Sequence, residues 1–378
     1  MLEFLPDDWR DAHLVGRMDF GEGPTPVALM NGLVFDLSAQ APTVAQLLHE
    51  HAACFEGKAV CPVDELDVQS AWSGKRARHR LLAPIDLQCI KAAGVTFATS
   101  TMERVIEERA RGDANQADEI RRALESRVGN NLRACHPGSP EAARLKEILI
   151  ADGLWSQYLE VAIGPDAEIF TKGPPLSSVG GGAEIGIRSD SSWNNPEPEI
   201  VLVVNRRGEA VGASLGNDVN LRDFEGRSAL LLGKAKDNNA SCSIGPFIRL
   251  FDANFTMNHI RNAVVELTIA GEDNYRLEGK SSMSEISRDP LDLVQQAIGQ
   301  HHYPDGFALF LGTMFAPIQD RDTPGLGFTH KMGDVVRVST PTLGVLENKV
   351  TTCKQAPPWD FGVGDLMMNL AKRGLLTS

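Results

Sequence analysis

Pro196-Glu-Pro-Glu-Ile-Val-Leu-Val-Val204, followed by Leu215-Gly-Asn-Asp-Val-Asn-Leu-Arg-Asp223, is the stretch on which the reading of this chain turns. Residues two apart on an extended strand point to one face, so Glu197 and Glu199 present two carboxylates side by side. The apolar run behind them, Ile200 to Val204, reads as a buried strand. Two carboxylates anchored at the mouth of such a strand repel unless positive charge lies between them. Asp218, in a Gly-Asn-Asp turn, is the third candidate ligand. An all-oxygen set of this kind suits a hard divalent cation, Mg²⁺ first, with Mn²⁺ or Ca²⁺ as substitutes.

Composition narrows the class. The chain has 378 residues, enough for one large domain or two unequal ones, and a formal net charge of −13. No basic stripe offsets that charge, which argues against a nucleic-acid partner. No apolar run approaches the roughly 18 residues needed to span a bilayer. The opening Met1-Leu-Glu-Phe-Leu-Pro lacks the basic and apolar regions of a signal peptide, so a cytoplasmic location is expected. The six cysteines (54, 61, 89, 135, 242 and 353) show no CxxC spacing and read as reduced thiols. His301-His302 has no further soft ligand close by in sequence and reads as a polar loop, not a zinc site. Gly180-Gly-Gly182 has no helix start behind it and is no nucleotide loop.

Residues 1 to 83 read as a small N-terminal mixed domain. Val27-Ala-Leu-Met and Leu33-Val-Phe-Asp-Leu flank Asn31-Gly32, a two-residue hairpin signal, and Thr43 is placed to cap a helix from Val44 to Glu50. Residues 84 to 378 read as a second, larger domain, entered by a strand-like segment from Pro84 to Ala98. Glu103 to Arg111, Gln116 to Arg127 and Pro140 to Ile150 form a helical insertion over about residues 100 to 155. From Ala162 onward short apolar runs alternate with Gly and Pro. Val201 to Asn205, Ala210 to Leu215, Phe247 to Phe251, Ala263 to Ile269, Ala308 to Thr313 and Val335 to Ser339 read as strands. Only Leu291 to Gly299, after Asp289-Pro290, reads as clearly helical there. Many strands and few helices imply an α+β protein with a mixed β-roll or barrel core, not alternating βαβ units.

"PEPEIVLVV", "LGNDVNLRDFEG", "GKAKDNNASCSIGP", "FLGTM" and "MGDVVRVSTPTLGVLENKV" occur in this order. Together they resemble the core of the fumarylacetoacetate hydrolase superfamily, well over residues 160 to 350 and more loosely over 84 to 110. The resemblance implies Mg²⁺ held by Glu197, Glu199 and Asp218, with Lys236 beside the metal. It also implies Arg222 on an anionic substrate, Thr313 in the substrate pocket, and a homodimer or homotetramer. Lys172, in Phe-Thr-Lys-Gly-Pro, and Arg188, just before the carboxylate strand, are further candidates for substrate binding. Asp223 reads as orienting Arg222 or capping a turn.

Two departures from the family pattern point away from hydrolysis. Many members carry Asn-Tyr-x-x-His-x-x-Glu on a lid, where the His–Glu pair activates water. Here Glu103 is kept, but Ser100 stands where the histidine would be, and a hydroxyl without a base cannot deprotonate water near neutral pH. The segment Gly279-Lys-Ser-Ser-Met-Ser-Glu-Ile-Ser-Arg288 and the upstream "RSDSSWNNPEPE" resemble the branch that dehydrates 2-keto-3-deoxy sugar acids. The function implied is Mg²⁺-dependent dehydration of a 2-keto-3-deoxypentonate, 2-keto-3-deoxy-D-arabinonate first, to 2-oxoglutarate semialdehyde in pentose catabolism. Glu103 and Lys236 are the acid–base candidates. The rivals are a C–C bond hydrolase of a 2,4-diketo-3-deoxy acid with a base from elsewhere, such as His330, then a decarboxylase or tautomerase of oxaloacetate-like acids. A non-catalytic metabolite sensor is the rival from another class.

Overall fold

A computed structural model describes residues 3–50, 54–75, 78–122, 135–315, 317–324 and 326–376. The strand Pro198–Val204 lies inside the main sheet, between Ala210–Asp218 and Phe307–Phe310. All seven of its residues are buried. Ile200, Leu202 and Val204 enter one hydrophobic core, while Val201 and Val203 enter another on the opposite face. Burial on both faces is why the sequence shows an unbroken apolar run where a half-exposed strand would alternate.

Among the described residues this sheet has eleven strands. From one edge to the other run Lys58–Pro62, Leu33–Asp36, Pro24–Met30, Leu14–Asp19, Cys242–Leu250, Ala210–Asp218, Pro198–Val204, Phe307–Phe310, Cys89–Gly94 and Glu168–Gly173. Arg80–Leu82 pairs off this path with Leu14–Asp19. Neighbours are antiparallel except Phe307–Phe310 and Cys89–Gly94, which run parallel. The path has two ends, so the sheet is open and the expected barrel does not close among the described residues.

The N-terminal strands are continuous with this sheet, since Leu14 stands opposite Arg249 and Val15 opposite Ile248. The Asn31-Gly32 hairpin is present: Met30 faces Leu33, and both turn residues have positive φ, 51° and 77°. That is the conformation a two-residue primed turn requires. Thr43 Oγ1 accepts the Gln46 N–H at 3.1 Å and so caps the helix Val44–Glu50. The helix packs its buried Val44, Leu47 and Leu48 under one face of the sheet.

A second, five-stranded sheet covers the other face, in the order Arg276–Ser282, Val264–Ala270, Val335–Thr340, Gly344–Thr352 and Glu184–Ile187. Its Val265, Leu267, Val336, Val338 and Val350 share a core with Ile200 and Leu202. The helical region includes Ala98–Arg109, residues 114–122, Pro140–Ala151 and Gln157–Ile163, packed on their own cluster around Ile106, Leu149 and Leu159. The part of the expected helix from 123 to Arg127 lies outside the described residues.

Pro290–Ile298 is helical as expected, and Asp289 accepts the Leu291 N–H at 2.9 Å. It is not alone beyond residue 162. Arg222–Glu225, Leu232–Lys236, Met257–Arg261 and Val363–Lys372 are helical too. The first three are too short for a 3.6-residue period to show in the sequence. No described helix is long and apolar enough to cross a membrane.

Candidate metal centre and active site

The antiparallel register of Pro198–Val204 and Ala210–Asp218 sets Pro198 opposite Asn217 and Glu199 opposite Gly216. One step further out, the Asp218 N–H donates to the Glu197 carbonyl at 3.0 Å. A cross-strand pair and its two-residue neighbour therefore bring three carboxylates to one sheet end. Glu197, Glu199 and Asp218 are buried, and ligand oxygens of all three lie within 4.8 Å of one another.

The surroundings differ from one carboxylate to the next. Glu199 Oε2 accepts the Gly312 N–H at 2.7 Å, and Oε1 accepts the Thr313 hydroxyl at 3.3 Å. Gly312 has φ +105°, and a Cβ there would stand 1.9 Å from Thr96 Oγ1, so this donor needs glycine. Burial, then repulsion from Asp218 and Glu197, holds the Glu199 carboxyl well above the ordinary carboxylate range. Asp218 behaves oppositely: burial pushes its carboxyl up, but Lys172 and Lys236 more than offset that and hold it low.

The Lys236 ammonium bridges Glu197 Oε2 at 2.6 Å and Asp218 Oδ2 at 3.1 Å, with Glu225 Oε1 at 3.4 Å. Burial alone would weaken its hold on the proton, but Asp218, Glu197 and Glu225 raise its pKa above the ordinary lysine value. It is a protonated group at neutral pH. Lys172, with a side chain 0% exposed, sets its ammonium 3.1 Å from Asp218 Oδ1 and donates to the Lys236 carbonyl. The 3.1 Å approach is not a directed hydrogen bond, and Asp218 Oδ1 is left without a hydrogen-bond partner.

Sequence reasoning missed several groups here. Arg104 binds Glu197 Oε1 at 3.0 Å, Glu107 at 2.7 Å and Glu225 at 2.6 Å. It lies one helical turn after Ser100 on Ala98–Arg109, so both face the carboxylates. Glu168, at the start of Glu168–Gly173, and Glu225, in the short helix after Asn220–Leu221, also line the cavity. Glu225 lay inside the quoted "LRDFEG"; nothing local in the sequence marks Arg104 or Glu168. The cavity measures about 20 Å³, room for about one water.

Of the expected site residues, Glu197, Glu199, Asp218, Lys236 and Thr313 line this cavity, and Lys172 touches it through Asp218. Three others do not line it. Glu103 is gripped at both oxygens by Arg121, at 3.1 and 2.9 Å, and lies 3.6 Å from Arg222. Arg222 is buried behind the wall, 2.7 Å from Asn195 Oδ1 and 3.4 Å from Glu107, over the Trp193 ring. Arg188 is taken by Asp190, two residues on, at 2.9 and 2.7 Å. Asp223 accepts from Ser191 and from the Ser192 N–H. His330 is buried away from the cavity, with Nδ1 3.2 Å from Asp334, and no histidine lines the cavity among the described residues.

The donor set fits a divalent cation. Five carboxylates line the cavity against Arg104 and Lys236, and Lys172 adds a third cation. Arg104 is shared with Glu107, and Glu199 has no cation within ion-pair distance among the described residues, its carboxyl held only by the Gly312 N–H and the Thr313 hydroxyl. Buried charge of that kind requires a partner.

Residues 156–351 match the family model described as fumarylacetoacetate (FAA) hydrolase C-terminal. A probable 2-keto-3-deoxyxylonate dehydratase of Haloferax volcanii is 32% identical over 212 residues, 56% of this chain and 68% of that protein. A 2-dehydro-3-deoxy-D-arabinonate dehydratase of Saccharolobus solfataricus is 32% identical over 182 residues, 47% of this chain and 57% of that protein. The fold is shared with a 2-keto-3-deoxy-D-arabinonate dehydratase solved with magnesium and 2,5-dioxopentanoate. That likeness has a TM-score of 0.64 and 22% identity over 90% of this chain and 99% of that one. Motif order, the matched region and the buried carboxylate trio agree: the chain belongs to the fumarylacetoacetate hydrolase family.

Proposed function

We propose that the chain is a Mg²⁺-dependent dehydratase of a 2-keto-3-deoxypentonate, 2-keto-3-deoxy-D-arabinonate first. Removal of water and tautomerisation give 2-oxoglutarate semialdehyde, also called 2,5-dioxopentanoate. The observation that carries this reading is the trio Glu197, Glu199 and Asp218, buried together with ligand oxygens within 4.8 Å of one another and Glu199 repelled by the other two. These three residues would hold the cation, Mg²⁺ or in its place Mn²⁺ or Ca²⁺. When bound, it supplies Lewis-acid polarisation of a 2-oxo group. The relatives named as a probable 2-keto-3-deoxyxylonate dehydratase and a 2-dehydro-3-deoxy-D-arabinonate dehydratase support the substrate class.

The chain's own groups divide the remaining work. Lys236, protonated and held by Glu197 and Asp218, donates to the oxygen on which enolate charge collects when the C3 proton leaves. Glu168 is the cavity carboxylate for that proton, because burial raises its pKa and no ion pair fixes it. Proton transfer by a positioned side chain contributes roughly 10²–10⁴-fold. The same carboxyl, once protonated, returns the proton as the C4 hydroxyl departs as water. Arg104 takes the substrate carboxylate as it leaves Glu197 Oε1, and Thr313 borders the substrate. Glu103, with Arg121 and Arg222, positions the helix that carries Arg104; Lys172 keeps Asp218 ionised. Arg188 stays outside this scheme. A cavity of about 20 Å³ is far too small for a five-carbon acid, so the site must widen for entry.

The hydrolase reading needs a water-activating base, and Ser100, whose hydroxyl donates to the Phe97 carbonyl at 2.9 Å, has none. We place the enzyme in the cytoplasm as a homodimer or homotetramer; Met367 and Met368, exposed on Val363–Lys372, supply apolar surface for assembly. The test is a coupled assay: 2-keto-3-deoxy-D-arabinonate with Mg²⁺ or EDTA, the semialdehyde read through an added dehydrogenase, and Glu199→Gln as control. Semialdehyde that requires both Mg²⁺ and Glu199 is expected. Pyruvate released from a 2,4-diketo-3-deoxy acid, with no semialdehyde, would move the activity to C–C hydrolysis.

A further inference from the structure

A second cavity, of about 610 Å³, shares no lining residue with the one that holds the carboxylate trio. Its volume falls in the range of small-molecule sites. Arg17, in the strand Leu14–Asp19, lines it at 5% exposure, and neither Nε nor Nη1 has a hydrogen-bond partner. A buried donor left unmade costs about 1–3 kcal/mol, more when it is charged. The Ser178 hydroxyl, on the same wall and 8% exposed, is also without a partner.

The nearby acids do not answer this guanidinium. Asp19 is 3.0 Å from Arg80, and its other oxygen accepts from the Gly21 and Gly23 N–H groups. Asp86 offsets the Arg17 charge only at longer range, because its oxygens are engaged by the N–H groups of Val44, Ala45 and Leu87. Glu184 and Asp360, also on the wall, form no ion pair with Arg17. Much of the remaining wall is apolar, with Leu81, Leu176, Trp359 and Phe361.

We propose that this cavity binds a small monocarboxylate with an apolar body. The free N–H groups of Arg17 and the Ser178 hydroxyl take the carboxylate, and Trp359 and Phe361 cover the body. A planar guanidinium matches a carboxylate in shape and charge. Arg17 is the buried cation of this wall, Lys75 and Arg80 being exposed and Arg80 paired with Asp19, so the buried end offers one guanidinium, which suits a single carboxylate better than a phosphate dianion. The proposal is independent of the reaction at Glu197, Glu199 and Asp218.

Calorimetric titration of the full chain tests it, with benzoate as probe, benzamide as its neutral counterpart and inorganic phosphate as the competing anion. Expected are one saturable benzoate site with a Kd of roughly 1 mM, and benzamide at least about tenfold weaker. Arg17→Gln should weaken benzoate at least about tenfold, and Glu199→Gln should leave it unchanged. Should Arg17→Gln fail to fold, Ser178→Ala and Trp359→Ala carry the test, the latter at a side chain 47% exposed; each should weaken benzoate severalfold. The proposal fails if benzoate does not saturate by about 20 mM, if benzamide binds equally, or if the Arg17, Ser178 and Trp359 variants bind as the parent does. It also fails if phosphate binds in preference, or if Glu199→Gln abolishes benzoate binding, which would place the probe at the carboxylate trio.

Discussion

Substituting glutamine for Glu199 exchanges one oxygen for an NH₂ group at a position 1% exposed. The exchange fits locally. The Gly312 N–H keeps a carbonyl oxygen to donate to, and the Thr313 hydroxyl can turn to accept from the new NH₂. In the metal-free protein, burial and repulsion from Asp218 and Glu197 raise the Glu199 pKa well above its ordinary value. A pKa raised by folding means that the stability tied to the protonated form is full below the unfolded value of about 4.3 and lost as pH rises through the folded value. Each tenfold gain in proton affinity corresponds to about 1.4 kcal/mol lost once the group must ionise. Glutamine, always neutral, escapes that loss, against a hydrogen-bond cost of about 1 kcal/mol at most. Glu199→Gln should therefore be at least as stable as the parent in EDTA at pH 8, and lose any advantage near pH 4. With magnesium the order reverses. The parent gains about 2.7 kcal/mol at a hundredfold excess over Kd, and the variant gains little. Thermal unfolding by calorimetry at both pH values, with EDTA or MgCl₂, measures all four quantities. A variant less stable than the parent in EDTA at pH 8, or one that keeps the full magnesium gain, would refute the assignment of Glu199 as a repelled ligand.

Lys172→Met removes one of the two buried cations that hold Asp218, leaving Lys236 alone, and should cost about 3–5 kcal/mol in denaturant unfolding. Glu168→Gln should lower kcat roughly 10²–10⁴-fold with little change in melting temperature, whereas Glu103→Gln, which breaks the Arg121 grip, should show first as lost stability. A kcat loss of that size in Glu103→Gln, with kcat kept in Glu168→Gln, would return the proton-transfer role to Glu103. Burial raises Glu107 to about 7, against the pull of Arg104 and Arg222. The stability tied to its proton is thus present below about pH 4.3 and lost as pH rises through about 7. Glu107→Gln should flatten the stability profile across that window, which urea unfolding at stepped pH would read.

The carboxylate trio was legible because its geometry is local. Glu197 and Glu199 are two apart on one strand, and Asp218 lies across a single hairpin pairing. The rest of the site depends on long-range packing. Arg104 reaches Glu197 only because the helix Ala98–Arg109 packs over the sheet end, and Glu168 arrives because its strand pairs with Cys89–Gly94. Neither has a pattern in its own neighbourhood. Arg188 was read as open to a substrate, whereas in the fold Asp190, two residues on, engages it. The two-sided burial of Ile200 to Val204 was readable from composition. The strand Gly344–Thr352 was not read as one, since its buried face carries Gly344 and Asn348 beside Leu346 and Val350, which breaks the apolar alternation.

The pairing of Leu14 with Arg249, and of Cys89 with Phe307, also has a consequence during synthesis. At roughly 5–20 residues per second, the strand Leu14–Asp19 waits on the order of ten to fifty seconds before Cys242–Leu250 is even made. In that interval the Pro24–Met30 hairpin carries an unsatisfied edge and an unburied apolar face, and contacts this distant in sequence form slowly. A ribosome stalled before residue 242 would hold a sticky, protease-sensitive nascent chain, so the vulnerable period for this protein lies in its translation.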